Sequence, residues 1–350
     1  MKFTHAAAAL LLFVPGYAVA HEGVHTHPVA AAAAADYAEA LAEGRPVITG
    51  AGEHRYQLDY DWLRNVEESF HGPTHGSVVV DAENRVYVST DAEQGIFVLD
   101  ADGQRITTLG PATQYLHSMV MTKEGDKQVI VAASPGQKKV LKIALDGTVL
   151  LSIPNEKTGE VDGGFDGVTS VCLLPNGQIV ASCGYGSNKV HFFDAEGKHL
   201  ATFGGKGQDP GAFNCCHGLA YDDRFDEPRL LIANREASQL EHYTLEGEFV
   251  SVYSTDVSRP CLPVLKGDCC YVAELNGRVT VLDREGKLLA RLGENTNKSE
   301  QANFGVDKAA WQPGVFTAPH GLGFDADGGL YVQDWNKAGR VTRLLPIASE

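Results

Sequence analysis

The chain has no excess of basic residues and, beyond its first twenty residues, no long apolar run. Among 350 residues, 29 Lys and Arg stand against 45 Asp and Glu, a formal net charge of −16, and the acidic residues are spread along the chain. This charge makes nucleic acid and anionic membrane poor partners. A membrane-spanning helix needs about 20 consecutive apolar residues, so we predict no membrane insertion.

The N-terminus has the pattern of a secretory signal peptide. Lys2 is followed by an apolar stretch from Ala6 to Val14 and by the small residues Ala18-Val19-Ala20. A short apolar core that ends in small residues is typical of a signal peptide. We predict a signal peptide over residues 1–20, cleavage after Ala20, and a secreted or periplasmic mature protein.

Residues 21–50 are rich in histidine and alanine, and we interpret them as a flexible leader. His21, His25 and His27 are followed by the alanine run Ala30–Ala35. An N-terminal histidine with further histidines nearby binds copper or zinc. A polar leader with adventitious metal affinity is the simpler interpretation, and the sequence leaves both open.

The seven cysteines allow disulfides in an exported protein, but their odd number leaves at least one unpaired within a monomer. Cys172 and Cys183 flank the turn Pro175-Asn176-Gly177 on strands that should be adjacent. We predict a disulfide between them; the alternative is that Cys172 is a small buried apolar residue.

From residue 51 onward, short apolar strands and Gly/Asn/Asp turns recur every 40 to 50 residues. Turn glycines at Gly103, Gly147, Gly197, Gly247 and Gly286 mark this period. Such a repeat predicts an all-β fold, a six-bladed β-propeller of the NHL-repeat type, as one domain over residues 51–350.

The last unit of the repeat stops after three strands. We expect the alternating segment from His54 to Trp62 to supply the fourth strand and close the ring. Closure matters because an open edge would leave backbone groups without partners.

Three histidines, His117, His217 and His320, recur at intervals of 100 and 103 residues and open equivalent apolar strands. Two repeat units per interval place them on alternate blades, so their side chains should converge on the central channel from three directions. Three neutral imidazoles with an open fourth position suit zinc. The alternative is that buried histidines merely satisfy one another around a water-filled channel.

Other polar residues open first strands or end second strands near the same face. The strand openers are His75, His117, Thr169, His217, Cys261 and His320. Because His75 lies outside the alternating set, we assign it to the substrate or to the surroundings of the metal. The same assignment covers four residues at the ends of second strands: Thr90, Glu274, Asp334 and Trp335.

Several segments resemble peptidyl-α-hydroxyglycine α-amidating lyases over about residues 75–345. The clearest is Phe213-Asn214-Cys215-Cys216-His217-Gly218-Leu219-Ala220 with Leu230–Glu236. Three shorter segments agree with it: Tyr115-Leu116-His117, Gly184-Tyr185-Gly186-Ser187-Asn188 and Pro319-His320-Gly321.

The resemblance implies a zinc-dependent lyase that splits a carbinolamide C–N bond into an amide and glyoxylate. His117, His217 and His320 would bind zinc, Tyr185 would be the catalytic base, and Arg235 would stabilise negative charge. The family also holds a structural calcium through an aspartate, where this chain has Gly321, so calcium would depend on backbone carbonyls. A further arginine of the family is replaced by Ser89-Thr90.

Two other functions fit the same fold. One is a non-catalytic NHL-repeat propeller that binds a peptide, glycan or protein partner over this face. The other is a metal-dependent hydrolase or lactonase, since a fold alone does not determine function. The lyase hypothesis implies a small-molecule or peptide substrate. The sequence leaves the oligomeric state open.

Overall fold

The computed structural model describes residues 39–40, 42–69 and 71–348. The predicted signal peptide and the leader histidines His21, His25 and His27 lie outside these residues. The described chain forms six antiparallel sheets arranged as the blades of a ring. The prediction of an all-β, six-bladed propeller is therefore confirmed.

Each of blades one to five consists of four consecutive strands. In blade one these are β3 (Val78–Val80), β4 (Val86–Val88), β5 (Phe97–Leu99) and β6 (Arg105–Thr108). Blade two has β7 (Ser118–Glu124), β8 (Lys127–Ser134), β9 (Lys139–Ala144) and β10 (Val149–Ile153). Blade three has β11 (Ser170–Leu173), β12 (Ile179–Ser182), β13 (Lys189–Phe193) and β14 (His199–Gly204).

The second half of the ring continues the pattern. Blade four has β15 (Cys216–Asp222), β16 (Arg229–Asn234), β17 (Gln239–Tyr243) and β18 (Phe249–Ser254). Blade five has β19 (Pro260–Lys266), β20 (Cys269–Glu274), β21 (Arg278–Leu282) and β22 (Leu288–Leu292). Blade six combines β23 (Pro319–Phe324), β24 (Leu330–Asp334) and β25 (Arg340–Pro346) with β1 (Ile48–Ala51) and β2 (His54–Leu58).

The N-terminal strands close the ring, as predicted. Strand β2 pairs antiparallel with β25, for example Leu58 with Leu344, and β1 adds a fifth strand outside β2. The predicted strand was too long, because residues 60–69 form the helix Tyr60–Ser69. Trp62 of this helix is buried and packs edge-to-face on Tyr331 at 5.3 Å. The helix thus covers the junction between blades six and one.

The core lies between the blades. The innermost strands β3, β7, β11, β15, β19 and β23 each contact the next around the ring. One apolar cluster fills each junction among the described residues; that between blades three and four includes Val180, Phe192, Phe213 and Leu230. Short strands with β-branched and aromatic residues suit this packing because both faces of each blade are covered. A rigid ring is the result, with a central channel.

The structure does not support the predicted Cys172–Cys183 disulfide, and both thiols are free. Cys172 packs into the cluster between blades three and four, whereas Cys183 packs into the cluster between blades two and three. The two side chains therefore point to opposite faces of one sheet. A disulfide needs Cβ atoms that face each other, so adjacent strands alone were not sufficient.

Among the described residues, no helix combines the length and the apolarity that crossing a membrane requires.

Candidate metal centre

The three predicted histidines lie at one level of the channel, at the inner ends of blades two, four and six. His117 directly precedes β7, and His217 and His320 are the second residues of β15 and β23. All three are at least 97% buried. The alternate-blade placement that the spacing predicted is what the structure shows.

Two of these histidines occupy β-bulges. The pairing of β15 with β16 skips from Cys216 to Gly218, and that of β23 with β24 skips from Pro319 to Gly321. A bulge leaves one residue out of the ladder and re-aims its side chain. His217 and His320 are the residues left out, and Cys261 is left out in the same way in blade five.

The backbone fixes the orientation of each imidazole. His117 Nδ1 lies 2.6 Å from the carbonyl oxygen of Thr169, His217 Nδ1 2.8 Å from that of Cys261, and His320 Nδ1 3.1 Å from that of Gly76. A carbonyl only accepts, so each Nδ1 carries the proton and donates it. Each Nε2 is therefore left with a lone pair, as metal ligation requires.

The glycine after a bulged histidine makes this contact possible. A Cβ on Gly218 would lie 2.1 Å from the Cys261 carbonyl oxygen, and one on Gly321 would lie 2.3 Å from that of Gly76. These are the same carbonyls that accept the imidazole protons. An aspartate at position 321 could not fit this arrangement.

The side chains of Tyr185 and Arg235 lie beside the histidines. The Tyr185 hydroxyl lies 3.0 Å from His117 Nε2 and 3.0 Å from His217 Nε2, and Arg235 Nη1 donates to it at 3.2 Å. The guanidinium also lies over the tyrosine ring, 5.2 Å from its centre. Although 41% of Tyr185 is exposed, its hydroxyl is at the buried end of the side chain.

A second arginine stands behind Arg235. Arg235 Nε donates to Glu236 Oε1 at 2.8 Å, and Arg259 donates to both Glu236 oxygens at 2.9 and 3.2 Å. One carboxylate is thus shared by two guanidiniums, which leaves this edge of the site positively charged. Sequence inspection gave no role to Glu236 and Arg259, because their ion pair joins blades four and five and follows no repeat spacing.

Local electrostatics keep the three histidines neutral and the Tyr185 phenol protonated. Burial lowers the pKa of His117, His217 and His320 well below the usual 6.5, and neighbouring histidines or Arg235 lower it further. Burial raises the pKa of Tyr185, and Arg235 partly opposes that rise. Burial is the larger of these two effects on the Tyr185 pKa.

The residues present fit an imidazole-bound cation. Three Nε2 lone pairs face the channel, but the Tyr185 hydroxyl has a single proton and can satisfy only one of them. His320 Nε2 is buried and has no hydrogen-bond partner among the described residues. A cation would serve the remaining lone pairs. Two groups of three side chains each bring their possible ligand atoms within 4.8 Å of one another. One group is His75, His117 and His320, and the other is His217, Cys261 and His320.

Calcium fits less well. The channel beyond the histidines is a cavity of about 470 Å³ lined by Ser118 and by apolar residues such as Met119, Val171, Leu219 and Leu322. None of the described lining residues is a carboxylate, and calcium takes six to eight oxygen ligands. A calcium ion in this cavity would therefore depend on backbone carbonyls, as the resemblance to the family implied.

Blade one departs from the predicted pattern. Gly76, not His75, is the counterpart of Thr169 and Cys261, since its carbonyl receives the His320 imidazole proton. His75 stands one residue earlier, with its ring centre 4.8 Å from that of His117 and 4.9 Å from that of His320. Trp335 lies beside it at 6.0 Å. The structure therefore places His75 beside two of the three histidines and Trp335 next to His75.

The structure does not bring Thr90, Glu274 or Asp334 into the site. Thr90 Oγ1 donates to the carbonyl of Gly95, Glu274 accepts from the backbone N–H of Ser258, and Asp334 accepts from those of Thr317 and Ala318. All three side chains are fully buried. They hold the loops that precede inner strands or follow second strands.

No family model matches the chain. Solved structures do align along most of it. A putative gluconolactonase aligns with a TM-score of 0.58 at 17% identity, covering 83% of this chain and 97% of that one. A gluconolactonase from Xanthomonas campestris gives 0.58 at 15% identity, with coverages of 86% and 94%. Virginiamycin B lyase from Staphylococcus aureus gives 0.51 at 13% identity, with coverages of 87% and 90%. At these identities the likeness establishes a shared fold.

Proposed function

We propose that the protein is an exported, zinc-dependent lyase of the amidating-lyase type on an NHL-like propeller, acting on a carbinolamide of a small molecule or peptide. The Tyr185 hydroxyl carries this proposal, because it lies 3.0 Å from two imidazole Nε2 atoms and 3.2 Å from the Arg235 guanidinium. A proton-transferring phenol, a cation-binding set and a fixed positive charge thus meet at one point.

The proposed reaction needs one proton acceptor and one stabilising charge. The O–H and C–N bonds of the carbinolamide break, a C=O bond forms to give glyoxylate, and the C–N electron pair stays on the amide nitrogen. Burial alone keeps the Tyr185 phenol protonated. Arg235 and a cation held by the histidines would together lower its pKa, and Tyr185 as phenolate would then take the hydroxyl proton and return it to that nitrogen. Arg235 would stabilise the phenolate, since its guanidinium already donates to Tyr185 Oη.

His117, His217 and His320 would hold the zinc. When bound, zinc lowers the pKa of a hydroxyl that it ligates, as it does for water. The protein itself contributes neutral imidazoles, kept so by burial. The three neighbouring propellers named above, two lactonases and a lyase, act by their names on small molecules, which supports this class of substrate.

The test is glyoxylate release from an α-hydroxyglycyl peptide, measured beside the zinc content of the same preparation. We expect about one zinc per chain and a Tyr185→Phe variant with kcat reduced roughly 10²- to 10⁴-fold but with zinc retained. Tyr60→Phe is the matched control, because Tyr60 is 40% exposed and lies on the helix at the ring junction.

Zinc binding without any glyoxylate release would overturn the lyase and leave a metal-binding propeller. Equal activity in wild type and Tyr185→Phe would instead remove the tyrosine from the mechanism. A protein that binds an α-hydroxyglycyl peptide without metal and without turnover would favour the non-catalytic alternative.

A further inference from the structure

Blade one leaves a gap in the ring of inner side chains, and His75 covers it. A Cβ on Gly76 would lie 2.3 Å from Ser89 Oγ and 2.5 Å from the carbonyl oxygen of Leu116, so no side chain fits there. The His75 imidazole packs edge-to-face on His117 and His320 instead. A ligating nitrogen of His75 lies within 4.8 Å of those of both neighbours.

A carboxylate stands behind His75. The distance from His75 Nδ1 to Asp91 Oδ2 is 3.6 Å, within ion-pair range and slightly longer than a hydrogen bond. The backbone of Asp91 is held on both sides, because its N–H donates to Pro73 and its carbonyl accepts from Gln114 Nε2. The backbone of Asp91 is therefore fixed, and this keeps its carboxylate within reach of the ring.

This pair differs from the other three histidines in two respects. Their Nδ1 atoms donate to carbonyls, whereas His75 Nδ1 faces a carboxylate. Their side chains are buried, whereas the His75 side chain is 24% exposed. Metal-bound histidines commonly donate their second N–H to a carboxylate, which fixes the tautomer and makes the ligating nitrogen more basic.

We propose that His75 is a fourth imidazole ligand of the metal centre, on its solvent side, and that Asp91 orients it. The inference rests on the proposed function only for the presence of the ion. With Nδ1 protonated toward Asp91, His75 Nε2 is the ligating atom. Four imidazoles suit late first-row divalent cations, zinc, cobalt and copper among them, and a substrate hydroxyl would then bind as a fifth ligand.

Chelator competition on the metal-free full chain, with zinc(II) and cobalt(II) as probes, tests this assignment. We expect Asp91→Asn to weaken metal affinity roughly 10- to 100-fold while the visible spectrum of bound cobalt keeps its shape. His75→Gln should change that spectrum, because a ligand is lost. The matched control is Asp166→Asn, which removes an exposed carboxylate that lies 3.3 Å from Lys138, beside the loop of Gly186.

Thermal unfolding of the metal-free variants should match wild type, since both side chains are partly exposed. Unchanged affinity and spectrum in both variants would overturn the fourth ligand while leaving the three-histidine centre intact. Absence of any zinc or cobalt binding by wild type would overturn the centre itself. Metal binding that follows this pattern without glyoxylate release would support His75 and sink only the lyase.

Discussion

Even-numbered and odd-numbered blades carry residues of different size at the same inner position. Blades two, four and six place the imidazoles of His117, His217 and His320 there, while blades one, three and five place the smaller Gly76, Thr169 and Cys261. Each imidazole donates a proton to the carbonyl of the smaller residue on the next blade. Large and small residues are therefore partners.

The alternation turns a ring of six similar blades into a centre with threefold geometry. Six imidazoles at this level would crowd the channel, and their Nδ1 protons would compete for the same carbonyls. Three imidazoles between three short residues leave each Nε2 unprotonated and facing the channel, where those of His117 and His217 lie 3.0 Å from the Tyr185 hydroxyl. The even blades thus supply the imidazoles, and the odd blades supply the backbone acceptors that orient them.

The largest expected effect comes from emptying one even blade. His217→Ala removes an Nε2 and frees the Tyr185 hydroxyl from one of its two imidazole partners. We expect zinc affinity to fall by about 100-fold or more, which corresponds to about 3 kcal/mol, as measured by chelator competition.

His199→Ala is the control, since His199 lies on the outer strand β14 and bonds Thr202 rather than facing the channel. Equal loss of zinc affinity in both variants would mean that the even-blade position is not special.

Much of the fold could be predicted from sequence because the signals are local. The Asp/Glu-Gly turns recur with the blade, and their glycines from Gly103 to Gly286 all adopt positive φ, between 82° and 92°. Ring closure was predictable because the last unit lacked a strand. The helix at Trp62 was missed, since an alternating apolar pattern continues from β2 into its first turn.

The site was predictable where it follows the repeat and not where it departs from it. The spacing of His117, His217 and His320 predicted their placement on alternate blades because each stands at the same position of its blade. Gly76 has no side chain, so the repeat pattern does not single it out. Asp91 lies in a loop, and its contact with His75 cannot be inferred from the spacing of the strands. Glu274 and Asp334 end strands as site residues do, but hydrogen bonding to nearby backbone N–H groups turns both carboxylates away.

Glu274 gives the second prediction, on odd blade five. Burial raises its pKa to about 7 from a usual 4.5, against the opposing effect of Arg278. Between pH 4.5 and 7 the unfolded chain therefore loses this proton while the folded protein keeps it, so stability falls as pH rises. Glu274→Gln should reduce the loss in the free energy of unfolding between pH 5 and pH 7.5 by on the order of 2 to 3 kcal/mol. Urea unfolding at these two pH values measures the difference.

Glu294→Gln is the matched control, because Glu294 also pairs with Arg278 at 2.9 Å but is partly exposed. If the free energy of unfolding falls as steeply with pH in Glu274→Gln as in wild type, other groups cause the pH dependence.

The smallest expected effect comes from adding one methyl group to an odd blade. Gly76→Ala places a Cβ against the carbonyl oxygens of Leu116 and His117, at 2.5 and 3.0 Å, and against Ser89 Oγ. Backbone atoms of the neighbouring blade must shift, so we expect a loss of about 1–3 kcal/mol in the free energy of unfolding, together with weaker zinc binding as His117 moves. Gly305→Ala is the control, since the nearest atom there is a side-chain oxygen at 3.3 Å. If Gly76→Ala unfolds and binds zinc like Gly305→Ala, the small residues of the odd blades are not required for the alternation.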